Sequence, residues 1–243
     1  MAFNCVSRTD VGLRRKVNED SIMVRTERGL WAVADGMGGH EAGDVASAKV
    51  ADALFGLPIV YSLDELAESA VAALERVNDE LIALGGVGRT IGSTVVGLAI
   101  AGDEFRCFWA GDSRAYRVRG REIVQLTRDH SLVQDLVDAG MLGADEAENH
   151  PNSNIVTRAV GVQEALKAEI ATGDAWPGDI FLLASDGLTR VVGDIEILDE
   201  LISWSPDEAA DRLVELVLAR GAPDNVSLVI VTLLEADAHR SGR

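Results

Sequence analysis

Residues 30–36 read Leu-Trp-Ala-Val-Ala-Asp-Gly: five apolar residues without polar alternation, cut off by an aspartate and a glycine. A short apolar run closed by a turn pair fits a strand buried on both faces. The same shape recurs at 94–101, 105–110, 180–184 and 226–234, all rich in β-branched and aromatic residues. Residues 115–118 and 122–126 alternate instead, and read as half-buried hairpin strands around Arg119-Gly120-Arg121. Another strand is expected at 21–25.

Helices separate these strand groups. Ser62-Leu63-Asp64-Glu65 has the spacing of a capping box, and Leu63, Leu66, Ala70, Leu74, Val77 and Leu81 carry a helical stripe up to Gly85. Ser205-Pro206-Asp207-Glu208 is a second box with proline at the first helical position. Its stripe of Ala209, Leu213, Leu216 and Val217 stops at Gly221 and Pro223. A third helix is expected over 41–55, with Ala42, Val45, Ala46, Val50, Ala53 and Leu54 on one face. Strand clusters with helical pairs between them do not alternate as β-α-β-α. The expectation is an α+β fold: two packed, largely antiparallel sheets forming a central β-sandwich, with helices on the outer faces. No repeat, low-complexity tract or linker divides the chain, so residues 1–234 read as one domain and 235–243 as a polar tail.

The 243 residues hold 47% hydrophobic and 26% charged side chains, enough for a sizeable core. Lysine and arginine number 22 against 40 aspartates and glutamates, a net charge of −18. That surplus repels nucleic-acid phosphates and anionic lipid, so no nucleic-acid or membrane partner is expected. It would also repel a phosphorylated substrate unless bound cations reverse the local sign. Cys5 and Cys107 lack metal-type spacing and are expected as thiols in a reducing compartment. No leader is evident, and no apolar run approaches the roughly 20 residues of a membrane span. A cytoplasmic, stand-alone monomer is the expectation.

What ends the strands carries the chemistry. The run at 30–34 ends in Asp35-Gly36, the run at 105–110 leads to Asp112-Ser113, and Ile180–Ala184 leads to Asp186-Gly187. Asp224-Asn225 opens the last strand, and Asn18-Glu19-Asp20 precedes another. One Asp-Gly after a strand is an ordinary turn. Five acidic clusters at strand ends would repel each other and raise their own pKa values if they converge. A hard divalent cation removes that penalty, since Mg²⁺ and Mn²⁺ take carboxylate, carbonyl and water oxygens.

At these residues the sequence resembles a known family. The segments 15–20 (Arg-Lys-Val-Asn-Glu-Asp), 33–40 (Val-Ala-Asp-Gly-Met-Gly-Gly-His), 92–94 (Gly-Ser-Thr), 111–114 (Gly-Asp-Ser-Arg), 184–188 (Ala-Ser-Asp-Gly-Leu) and 223–226 (Pro-Asp-Asn-Val) are similar, in order, to the motifs of PP2C-type metal-dependent protein serine/threonine phosphatases, in their bacterial stand-alone branch. The resemblance implies two Mn²⁺ or Mg²⁺ ions, with Asp35 bridging them and the Gly36 carbonyl on one. It implies Asp186 and Asp224 on the other ion, and Glu19 and Asp20 acting largely through metal-bound waters. Asp112, with Asp186, matches the place where bacterial members can hold a third, weaker ion. Arg15 would grip the substrate phosphate, and Asn225 would only orient Asp224. Met37 stands where other members carry a histidine that is a candidate acid for the leaving alkoxide. Either His40 or a metal-bound water would then serve, or His40 merely packs beside the site.

The implied reaction is hydrolysis of phosphoserine and phosphothreonine in proteins, opposing a bacterial serine/threonine kinase. Two cations about 3.5–4 Å apart can activate a bridging water for in-line attack, with no covalent phosphoenzyme. Competing phosphatase chemistries lack their residues. The residue six positions after Cys5 is Val11 and that after Cys107 is Ser113, not arginine; no Asp-x-Asp occurs; and none of Lys16, Lys49 and Lys167 follows a glycine. A silent phosphoprotein-binding domain is disfavoured because Asp35, Asp186 and Asp224 are all present, while a small-molecule phosphoesterase stays open. Free-standing bacterial members include ones that restrain type VI secretion, and no residue here selects that role.

The resemblance implies a mobile flap beside the ions at residues 129–157. The sequence itself shows there a short helix at 131–139 stopped by Gly140 and a polar run at 149–154, a segment expected to open at low cost and to gate substrate. Asn149, His150 and Asn152 are its candidate substrate-selecting residues. His130, His150 and His239 read as structural or solvated, Trp31 and Trp109 as core anchors, and Arg114 as paired with a carboxylate.

Overall fold

A computed structural model describes residues 2–38, 42–86, 88–147 and 150–234. The chain runs β1 (Ala2–Asp10), β2 (Asp20–Arg25), β3 (Leu30–Met37), α1 (Gly43–Phe55), α2 (Leu63–Gly85), β4 (Gly92–Ser93), β5 (Val95–Ala101), β6 (Glu104–Ala110), β7 (Arg114–Arg119) and β8 (Glu122–Gln125). It continues through α3 (Leu132–Asp138), α4 (Ala144–Ala147), β9 (Glu169–Asp174), β10 (Ile180–Ala184), α5 (Asp186–Thr189), α6 (Asp194–Ser203), α7 (Pro206–Ala219) and β11 (Val226–Leu234).

The strands form two sheets, one in the order β1-β11-β10-β7-β8, the other β2-β3-β5-β6-β9 with β4 paired to β3. Every one of these pairings is antiparallel. Side-chain alternation explains the continuous apolar runs. Trp31 and Val33 of β3, Cys107 and Trp109 of β6, Phe181 and Leu183 of β10, and Val229 and Val231 of β11 fill the space between the sheets. Leu30, Ala32 and Ala34 point the other way, onto Ala46, Val50 and Leu54 of α1 and Leu74 and Val77 of α2. Leu182, Leu228 and Ile230 likewise meet Ile197 and Leu201 of α6 and Leu213 and Val217 of α7. The result is a four-layer helix–sheet–sheet–helix sandwich in which the central strands see water on neither face.

The differences from the sequence reading are local. The stripe of α2 is buried as expected, but its capping box is only half made: Ser62 Oγ accepts from Glu65 N–H, while Glu65 Oε2 takes the N–H of Tyr61. At α7 the box is complete, with Ser205 Oγ accepting from Glu208 N–H and Glu208 Oε2 accepting from Ser205 N–H. Val45 stands on the solvent side of α1, 41% exposed, rather than with Ala46 and Val50. The edge strands β1 and β9 and helix α6 were not anticipated. Burial alternates along β9, and β1 keeps only partial cover, so neither shows the apolar run that marks the interior strands. Trp31 and Trp109 are buried anchors whose indole N–H groups donate to Thr26 Oγ1 and the Arg128 carbonyl. Both cysteines are free thiols, Cys107 buried and Cys5 half-buried, and burial pushes both pKa values up.

Candidate metal centre

Antiparallel pairing brings the ends of β3, β6 and β10 and the starts of β2 and β11 to one edge of the sandwich. Asp20 stands opposite Asp35 in the β2–β3 register. Like charges facing each other across a ladder are destabilising by themselves, so this pair already points to an external cation. Asp186 opens α5 directly after β10, Asp112 sits in the turn between β6 and β7, and Asp224 lies just before β11. Arg15, Glu19, Asp35, Gly36, Asp112, Asp186 and Asp224 all line one cleft of about 420 Å³. Asp20 lies behind it, its Oδ2 accepting from Ser185 Oγ at 2.9 Å. His40 falls outside the described residues, and no described histidine lines the cleft.

The glycines of the two Asp-Gly pairs serve chain packing. A Cβ on Gly36 would run into the Gly43 carbonyl, and one on Gly187 into the Asn225 carbonyl. Only glycine lets β3 approach the start of α1, and α5 approach the segment carrying Asp224.

Other short motifs hold the backbone beneath the carboxylates. Thr94 N–H donates to the Asp35 carbonyl at 2.8 Å, Asp35 N–H donates to Thr94 Oγ1 at 3.2 Å, and Thr94 Oγ1 meets Ser113 Oγ at 2.7 Å. Asn225 does more than orient Asp224. Its Oδ1 accepts from Glu19 N–H at 2.8 Å, and its Nδ2 donates to the carbonyls of Val11 and Val17 at 2.9 and 3.0 Å. His130 Nδ1 accepts from Gly111 N–H, which ties the residue before Asp112 to the segment that follows β8. Arg114 forks onto Asp129.

The electrostatics are those of crowded, dehydrated anions. Burial, followed by Asp186, Asp20, Asp112 and Asp224, holds the Asp35 carboxyl well above the usual range. Burial pushes Asp20 up to about 6 against the pull of Ser227 and Ser185. Burial and then Asp186 push Asp112 up to about 7 even though Arg190 opposes the shift. Asp186 and Glu19 are raised, again first by burial. Two guanidiniums stand among these groups. Arg15 Nη2 is 2.7 Å from Asp224 Oδ2, and Arg190 contacts both Asp112 and Asp186. Among the described residues no three His, Cys, Asp or Glu side chains close into a ready-made ion-binding group. The donor set nevertheless fits hard divalent cations, because it consists of oxygens and Asp186 Oδ1 is buried with no hydrogen-bond partner.

Sequence reasoning overlooked Arg190, and it gave no role to Thr94 or Ser185. Arg190 lies four residues after Asp186, a helical spacing that a motif reading passes over. Thr94 and Ser185 act through backbone and hydroxyl contacts that only the folded sheets create.

With this geometry in place, likeness to known proteins becomes informative. Residues 14–235 match the family described as Protein phosphatase 2C, and the chain belongs to that family. The serine/threonine protein phosphatase PstP of Mycobacterium tuberculosis is 37% identical over 98% of this chain, which spans 46%, about half, of that protein's length. The protein phosphatase PhpP of Streptococcus pneumoniae is 36% identical over 95% of this chain and 97% of its own. Among solved structures, PppA of Pseudomonas aeruginosa, described as a key regulatory component of T6SS, superposes with a TM-score of 0.88 at 42% identity, covering 96% of this chain and 98% of that one. The catalytic domain of PstP in complex with 2 manganese ions gives 0.84 at 35% identity, covering 96% and 99%.

Proposed function

We propose that the protein hydrolyses phosphoserine and phosphothreonine in proteins at a centre of two Mn²⁺ or Mg²⁺ ions, and that it reverses the work of a serine/threonine kinase in the cytoplasm. The observation that carries this reading is the convergence of Glu19, Asp35, Asp112, Asp186 and Asp224 in one cleft, backed by Asp20, with an unpartnered buried oxygen on Asp186. Asp35, the Gly36 carbonyl, Asp186 and Asp224 would hold the ions, with Glu19 and Asp20 contributing through water. Bound divalent ions supply Lewis acidity that activates water at neutral pH.

The chain's own residues do the rest. Arg15 is half-exposed at the cleft and paired to Asp224 at 2.7 Å. Its planar fork suits a phosphate, so with Asp224 engaged on a bound ion the Arg15 guanidinium would be available to hold the substrate phosphate. The neutralised cleft then accepts a dianion that the net charge of −18 would otherwise repel. Within residues 129–157, Asn154 and Val156 line the same cleft as Arg15 and Glu19. The ends of this segment are joined by the Ser131–Val156 bridge and the Thr157 N–H to His130 carbonyl bond. We assign this segment to substrate selection. Asn149 lies outside the described residues, while His150 Nδ1 accepts from Asn152 N–H and neither residue lines the cleft. Asn154 is therefore the better probe.

No described helix is long and apolar enough to cross a membrane. Purified protein is expected to cleave p-nitrophenyl phosphate and a phosphothreonine peptide when Mn²⁺ is added and to stop with EDTA. Turnover that survives both the chelator and Asp186→Asn would overturn the two-metal reading.

A further inference from the structure

Six carboxylates converge at the centre, and two divalent ions would neutralise only four of their charges. The other two positive charges belong to the chain: Arg15 on Asp224 and Arg190 between Asp112 and Asp186. These guanidiniums differ in kind. Arg15 sits at the mouth of the cleft, in contact with one carboxylate, and is free to exchange it for a substrate phosphate. Arg190 is pinned at two points. Its Nη2 lies 2.7 Å from Asp112 Oδ2 and its Nε 2.9 Å from Asp186 Oδ2. Asp186 and Arg190 are separated by the single turn of α5, which returns the arginine onto the face carrying the aspartate.

Asp112 is 4% exposed, and Arg190 supplies its only side-chain ion pair among the described residues. Asp186 keeps Oδ1 unpartnered on its other side. The two oxygens of Asp186 are thus divided, one for the chain's own cation and one for an external ion. A guanidinium does not deprotonate, so it remains a cation at every working pH. It is also tethered, and an ion shared between Asp112 Oδ2 and Asp186 Oδ2 would have to displace it.

We propose that Arg190 is a resident cation of the centre, occupying the space between Asp112 and Asp186 that a third divalent ion would need and so limiting the chain to two. This rests on the two-metal reading above. Asp112 is then a partner of Arg190 and not a metal ligand in this protein.

The test counts ions. Mn²⁺ bound per folded chain is measured by equilibrium dialysis, with free Mn²⁺ read by its electron paramagnetic resonance signal, for the wild type, Arg190→Gln, Arg190→Lys, Asp112→Asn and the double variant Arg190→Gln/Asp112→Asn. The expected result is two ions for the wild type, Arg190→Lys and Asp112→Asn, three for Arg190→Gln, and two again for the double variant. An Arg190→Gln count equal to the wild type's, or a third ion that persists in the double variant, overturns the proposal. If Arg190→Gln does not fold, Asp112→Asn alone decides: an unchanged count supports the proposal, and loss of one ion from the wild-type number overturns it. A wild type that binds no Mn²⁺ would instead overturn the function reading itself, so the two failures are distinct.

Discussion

Asn225 shows how much one uncharged side chain can organise. Its amide bonds three backbone groups, on Val11, Val17 and Glu19, that lie more than 200 residues away in sequence. Replacing it with alanine strands those groups, at a cost of about 2 kcal/mol. Asn225→Ala should therefore lower the unfolding midpoint and weaken Mn²⁺ affinity by roughly 10-fold, in the way that supports of metal ligands act. Unchanged affinity in a folded variant would show that Glu19 and Asp224 hold their places without it. Asp186→Asn is expected to behave differently, with thermal stability kept or raised because a strained, buried carboxylate is gone, while Mn²⁺-dependent turnover falls by more than about 100-fold. A chelator-free assay on p-nitrophenyl phosphate beside a melting curve separates the two effects.

Among the elements, those with chemical end signals were legible in the sequence and those without were not. Ser62 and Ser205 marked their helices correctly, although the full reciprocal box forms only at Ser205. Serine-to-alanine at either site should cost about 1 kcal/mol, read from denaturant midpoints. Strands β1 and β9 escaped notice because polar residues interrupt them and no continuous apolar run or turn-bounded hairpin pattern marks them. The Asp-Gly pairs looked like turns and are contact points. Gly187→Ala should destabilise by about 3 kcal/mol or prevent folding, since its Cβ would meet the Asn225 backbone, which cannot move without moving Asp224. At the cleft wall, Asn154→Ala should reduce phosphopeptide turnover severalfold more than p-nitrophenyl phosphate turnover, because the small ester needs no wall. Equal losses on both would remove residues 129–157 from substrate selection.

For the molecule as a whole, the acidic centre links pH to stability. The Asp20 and Asp112 carboxyls are raised from an ordinary 3.8 to about 6 and about 7, chiefly by burial. Between 3.8 and those values the folded chain holds protons that the unfolded chain has already released. Stability of the metal-free protein therefore falls as pH rises through that window. Divalent ions stabilise the ionised centre, by about 2.7 kcal/mol at a hundredfold excess over the dissociation constant. The difference in melting temperature with and without Mn²⁺ should thus be small near pH 5 and large above pH 7, and a difference independent of pH would contradict this account.

The sequence by itself determined the layers and the list of carboxylates. Burial on both faces demands continuous apolar strands, helices announce themselves by caps and stripes, and acidic residues at strand ends remain conspicuous wherever they fall. Tertiary structure alone decided who stands beside whom. That Asp20 faces Asp35, that Ser185 holds Asp20, that Asn225 reaches Glu19 and that Arg190 bridges Asp112 and Asp186 all depend on strand register and on two sheets meeting at one edge. Periodicity records which face a residue takes. It carries no information about which neighbour another strand or turn will bring alongside, and at this centre such neighbours set the charge balance.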